Sequence, residues 1–117
     1  MREKIKDYDR LLHIKESIDN VFEFLEGKSP KDLANDKLLL FGVVKNIEII
    51  GEAAYMLTKE FKAMHPDTPW LDVIGMRHVL VHGYYMVSSA FVWDTYKNDL
   101  GVLRQQIELY LSELARE

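Results

Sequence analysis

Cysteine is absent from the chain. That excludes disulfides, thiol nucleophiles and zinc sites built on thiolates, and it fits a reducing compartment. Proline is scarce, and two of its three copies, Pro66 and Pro69, fall in one short segment, so long stretches are free of helix breakers. No apolar run approaches the ~20 residues needed to cross a membrane. The first ten residues, MREKIKDYDR, are charged and hold no apolar signal core. A soluble, cytoplasmic chain with no membrane partner is the expectation. Positive charge is in deficit, with 15 Lys and Arg against 19 Asp and Glu and a net charge of −4 at pH 7. Tight non-specific binding to nucleic acid rests on neutralised phosphates, so this balance argues against it while leaving room for a local cationic site.

What is present is helical periodicity. The 117 residues are one domain's worth, residues 1–117, with 48% apolar and 29% charged side chains. Ile5, Tyr8, Leu11, Leu12, Ile18, Val21, Phe22 and Leu25 recur at helical spacing, predicting a first helix over about 3–26 that stops at Gly27. Ser29, Pro30 and Asp32 form a start signal, and Asn35-Asp36 a second one, so 30–35 reads as a short separate turn. A long helix is predicted over about 36–64. After a loop at 65–69, Thr68 is expected to cap a third helix with Pro69 at its first position and Gly83 at its end. Ser88 or Ser89 starts a last helix running to about Leu114, with Gly101 a mild weakness within it. Trp70 and Trp93 read as core. Short loops between such helices predict an all-α, antiparallel four-helix bundle whose third helix is short and irregular.

The chemistry gathers at the end of that third helix, in the run RHVLVHGYY at 77–85. Arg77 and His82 are five residues apart, about 140° of helical rotation, so a helix end near Gly83 would help them converge. A histidine moves protons near neutrality, and an arginine grips phosphate oxygens with two donors. On spacing alone, a helix-end histidine beside a surface arginine explains the pair as well. His78 and His82 share a face, as helical zinc pairs do, but no third ligand stands at a diagnostic spacing; His13 and His65 carry no signal. Glu48 and Glu52 lie one turn apart in NIEIIGEAAYML, among Gly51, Ala53 and Ala54. Glu52 reads equally as a buried carboxylate partnered by the third helix or as a solvated edge residue. Tyr84 and Tyr85 read as packing residues with bonded hydroxyls.

Arg77, His82 and Tyr84 together spell R-x-x-x-x-H-x-Y, which resembles the signature of the HEPN superfamily, in its HepT-like toxin branch. The stretches NIEIIGEAA, PWLDVIGMRHVLVHGYY and the Val92-Trp93 pair resemble that branch in order and distance, over nearly the whole chain. The resemblance implies a HEPN-like helical bundle that forms a homodimer. It implies a metal-independent ribonuclease, without a cofactor, whose catalytic Arg77 and His82 meet at the dimer interface; Glu52, His78 and Tyr84 are the expected supporting residues. It further implies a type VII toxin–antitoxin pair, in which an MntA-type nucleotidyltransferase antitoxin places AMP on Tyr84. The residue after the arginine is usually Asn or Asp in this family and is His78 here. Related bundles also serve as non-catalytic nucleotide- or substrate-binding partners of nucleotidyltransferases, which is the alternative reading.

Overall fold

The computed structural model describes the backbone of residues 2–82 and 87–115, and the side chains of 6–76 and 87–115. All regular structure among these residues is helical. Helix α1 (Arg2–Leu25) forms because Leu11, Ile14, Ile18, Val21 and Leu25, spaced by three and four, make one continuous stripe, and all five are essentially fully buried. Gly27 ends it at φ +73°, the left-handed conformation that glycine reaches without a Cβ clash. The start signal at 29–32 is realised in helix α2 (Pro30–Asn35). There the Asp32 N–H donates to the Ser29 hydroxyl (3.2 Å) and the Ser29 N–H donates to the Asp32 carboxylate (2.9 Å). Asp36 then caps α3 (Lys37–Met56), accepting from the Leu39 N–H at 3.1 Å.

The helix expected over 36–64 is broken. Leu57 and Thr58 are extended, and a separate α4 (Lys59–Met64) follows. A continuous helix would commit the Thr58 N–H to the carbonyl of Ala54. Instead, that N–H and the Thr58 hydroxyl both donate to the buried Asp7 carboxylate of α1, at 2.9 and 2.8 Å. The same hydroxyl caps α4 by accepting from the Phe61 N–H at 3.1 Å. The Lys62 ammonium reaches back to the Ala54 and Tyr55 carbonyls at 3.3 and 3.4 Å, covering the exposed end of α3. Burial lowers the Lys62 pKa from its ordinary value.

Helix α5 (Trp70–His82) starts one residue later than expected. The Pro69 carbonyl accepts the first helical bond, from the Val73 N–H at 3.0 Å, and Thr68 is not a cap. Ser88 caps α6 (Ser89–Thr95), accepting from the Phe91 N–H at 3.2 Å. A π-helical stretch, Tyr96–Leu100, joins it to α7 (Gly101–Ala115), so the last helix is interrupted just before Gly101.

Helix α1 lies between α3 and α7 and runs antiparallel to both. Towards α3, Asp7 meets Thr58 and the Asn20 amide donates to Asn46 at 3.0 Å. Towards α7, Asp19 meets Arg104 at 3.5 Å and Lys15 meets Glu108 at 3.8 Å. The core closes with Val43, Ile47 and Ile50 of α3 and Leu100, Leu103 and Ile107 of the last helix. Each such side chain, fully buried, contributes roughly 1.5–3 kcal/mol. Trp70 belongs to this core, whereas Trp93 is half-buried against it, edge-on to Tyr96 at 5.1–5.3 Å from ring to ring along the Phe22–Tyr96–Trp93 series. Among the described residues no helix is long and apolar enough to cross a membrane. The architecture is an all-α bundle, with α5 laid on α3.

Candidate active site

Helix α5 carries the chemistry, and its start is fixed by the surrounding bundle. The Trp70 indole N–H donates to the His65 carbonyl at 2.9 Å. The His65 ring stacks on Phe61 with centroids 4.1 Å apart, and its Nδ1 lies 2.8 Å from the Phe61 carbonyl. Tyr110 of α7 closes the cluster, 5.6 Å from Phe61 and 6.1 Å from Trp70 between ring centres. Thr68 is buried here. Its hydroxyl pairs with the Tyr110 hydroxyl at 2.6 Å and lies 2.9 Å from the Gln106 amide oxygen, while the Gln106 amide N–H donates to the Asp67 carbonyl at 3.1 Å. The 65–70 segment is therefore bonded to α7 by both side chain and backbone, which sets the direction in which α5 leaves it.

Along the α5 axis, Arg77 lies roughly 10 Å and His82 roughly 18 Å beyond Trp70, at 1.5 Å per residue. Both are within the helix, as is His78, and their side chains lie outside the described residues. Tyr84, with Gly83 and Tyr85, also lies outside them. Helix α5 packs against α3, in which Gly51, Ala53 and Ala54 are small and buried. Glu52 itself is exposed and Glu48 is half-buried. The structure therefore brings together α3 and α5, the helices of Glu52 and of the Arg77–His82 pair, and fixes the base of α5. Among the described residues no three His, Cys, Asp or Glu side chains converge as a metal site.

Comparison with known proteins bears on this arrangement. The family model for ribonuclease HepT-like proteins matches residues 14–110, which take in α5 and all but the ends of the bundle. This chain belongs to the HepT-like ribonuclease family. A protein of Thermococcus cleftensis named "probable ribonuclease HepT" is 36% identical over 108 residues, covering 92% of this chain and 96% of that one. A protein of Caldanaerobacter subterraneus subsp. tengcongensis named "putative RNase" is 34% identical over 103 residues, covering 88% and 92%. Another of that description from Methanocaldococcus jannaschii is 29% identical over 99 residues, covering 85% and 91%. No solved structure matches the chain.

For a HepT-like chain the positioning residues were harder to see in sequence than the motif. Thr68 looked like a helix cap, and His65 like an isolated histidine. Their partners, Tyr110 and Gln106, lie about forty residues further on, and no local pattern joins residues that far apart. The one available signal was the pairing of a tryptophan with two prolines in HPDTPW, which marks a fixed turn without saying what it is fixed to.

Proposed function

We propose that this HepT-like chain is a metal-independent RNA endonuclease and the toxin of a type VII toxin–antitoxin pair. The reading is carried by one observation: Arg77 and His82 of the R-x-x-x-x-H-x-Y run lie on α5 in a chain that matches the ribonuclease family over residues 14–110. Cleavage without a metal uses the ribose 2′-hydroxyl beside the scissile phosphate. His82 takes its proton as the 2′-oxygen bonds to phosphorus, the 5′-oxygen of the next nucleotide leaves and takes up a proton, and a 2′,3′-cyclic phosphate and a 5′-hydroxyl result. Each well-placed proton transfer is worth roughly 10²–10⁴-fold. Arg77 holds the phosphoryl oxygens as their charge grows.

One chain supplies one motif histidine, and the reaction needs one group to accept a proton and one to donate. A two-fold homodimer sets a second copy of Arg77 and His82 against the first and answers that need. It also concentrates positive charge locally on a protein whose net charge is −4. Glu52 and His78 support the pair from α3 and α5. The antitoxin of this reading is an MntA-type nucleotidyltransferase that transfers AMP from ATP to the Tyr84 hydroxyl, releasing pyrophosphate. The added phosphodiester and adenosine occupy the place where the substrate phosphate must bind.

Light scattering of the purified chain at micromolar concentration tests the shared site, with twice the chain mass expected. A clean monomer that nevertheless cleaves RNA would remove the composite site from the account. Cleavage of total RNA is expected to persist in EDTA; loss on chelation with recovery on adding zinc would return the His78–His82 pair to consideration as metal ligands.

A further inference from the structure

Among the described residues, a second side of α5 between Leu71 and Met76 is left uncovered. An open groove of about 780 Å³ separates it from α6, the π-helical stretch and α7. The floor is apolar, with Val73 and Leu103 buried at its base. On its walls Leu71 is 87% exposed and Val102 58% exposed, and Phe91 also stands out into solvent. Its rim has one sign of charge. Asp67 and Asp72 lie on the α5 side and Asp94 and Asp99 on the opposite side, all four exposed, and no described lysine or arginine lines the groove.

We propose that this groove docks a helical segment of a partner protein, with leucine-like side chains along one face and lysines or arginines flanking them. An apolar trough between two helices is the shape into which a third amphipathic helix lays its apolar stripe. Leu71 and Val102 are the side chains such a stripe would desolvate. The four aspartates sit where its flanking cations would fall and would set its register and speed its encounter. Charge decides against the other occupants. An RNA strand would bring phosphates against four carboxylates with no cation between them among the described residues, which is the reverse of what nucleic-acid binding needs. A second copy pairing two-fold through this groove would set the same four aspartates against themselves. The docking surface stands whether or not the chain cleaves RNA, since none of its described lining residues belongs to the R-x-x-x-x-H-x-Y run.

The test uses two fluorescein-labelled peptides of leucine and lysine, each about five helical turns long and of identical composition. One has its leucines at helical i, i+3, i+4 spacing, and in the other they are scattered round the helix. Anisotropy against the full chain should show the first binding at least about tenfold more tightly than the second. An Asp94→Asn, Asp99→Asn double variant should weaken that binding by about tenfold and flatten its dependence on salt. Leu71→Ser should weaken it by a similar factor, about tenfold, and leave the salt dependence in place. Circular dichroism checks that the variants fold. Photo-cross-linking of the first peptide to the unmodified protein should map to the segments around Leu71 and Val102 whether or not they do. Equal binding of the two peptides, cross-links elsewhere on the surface, or affinities unmoved by both variants would overturn the proposal. So would a Leu71→Ser variant whose change is a halved oligomeric mass, because the groove would then belong to a second copy.

Discussion

The Asp7 carboxylate holds both the backbone N–H and the hydroxyl of Thr58, fifty-one residues away, at 2.9 and 2.8 Å. This contact breaks what periodicity alone would make one helix into α3 and α4, and it ties the start of α1 to the turn between them. Asp7→Ala leaves a part-buried N–H without its partner and frees α1 from the turn. The expected loss is about 2 kcal/mol in urea unfolding. Asp7→Asn keeps one acceptor and should lose about half of that. An unchanged midpoint for Asp7→Ala would show that α3 and α4 separate for another reason.

The bond between Thr68 and Tyr110 fixes where α5 begins. Tyr110→Phe keeps the ring against Phe61 and Trp70 and removes only the hydroxyl 2.6 Å from Thr68. It should cost about 1 kcal/mol, and it should speed amide hydrogen exchange in the first turn of α5 more than in α1. Uniform acceleration throughout the bundle would mean that Tyr110 contributes to global stability and not to the placement of α5.

The cap of α2 has a pH signature. The Ser29 N–H and then the Ser29 hydroxyl hold the Asp32 carboxyl below its ordinary pKa of 3.8. A carboxyl whose folded pKa is depressed stabilises fully above its unfolded value, and that contribution is lost as pH falls through the folded one. Wild type should therefore be more stable than Asp32→Ala above pH 3.8, with the two converging in stronger acid. A difference that stays constant down to the acid limit would show that the carboxylate charge plays no part in the cap.

Tyr84 is the modification site of the proposed pair. Incubation with a cognate nucleotidyltransferase and ATP should add one AMP per chain at Tyr84 and silence cleavage, read by intact-mass and peptide mass spectrometry. Tyr84→Phe retains the ring and loses the acceptor oxygen, so it should stay active in the presence of the partner. Modification at Tyr85 alone, or full activity with Tyr84 fully adenylylated, would contradict this assignment.

Much of the fold could be read from the sequence because its signals are local. The helical spacing of Leu11, Ile18, Val21 and Leu25, the Gly27 stop and the Ser29–Asp32 box are each set by residues within one stretch of chain, and each is realised in the structure. The break at Leu57-Thr58 was not legible, because Asp7 makes it from another helix. The role of Thr68 was not legible for the same reason: a threonine before a proline looks like a cap until Tyr110 is brought beside it. The π-helical stretch at Tyr96–Leu100 left only a faint mark, the glycine that follows it. At the site, the helix that carries Arg77 and His82 was legible in the sequence. The exposure of Glu52 was not, since a glutamate flanked by Gly51 and Ala53 fits either a buried or a solvated face. The acidic groove was invisible as well, because its aspartates come from segments up to thirty-two residues apart and are ordinary surface residues within each.

Cleavage of purified RNA by the wild-type chain, His82→Ala and Arg77→Ala, compared side by side in EDTA with circular dichroism on each, decides whether Arg77 and His82 cut RNA without a metal. Wild type should cleave to products ending in a 2′,3′-cyclic phosphate, and each variant should lose at least roughly 10²-fold with its helical content unchanged. Folded His82→Ala and Arg77→Ala proteins that cut RNA at the wild-type rate would contradict that role for the pair.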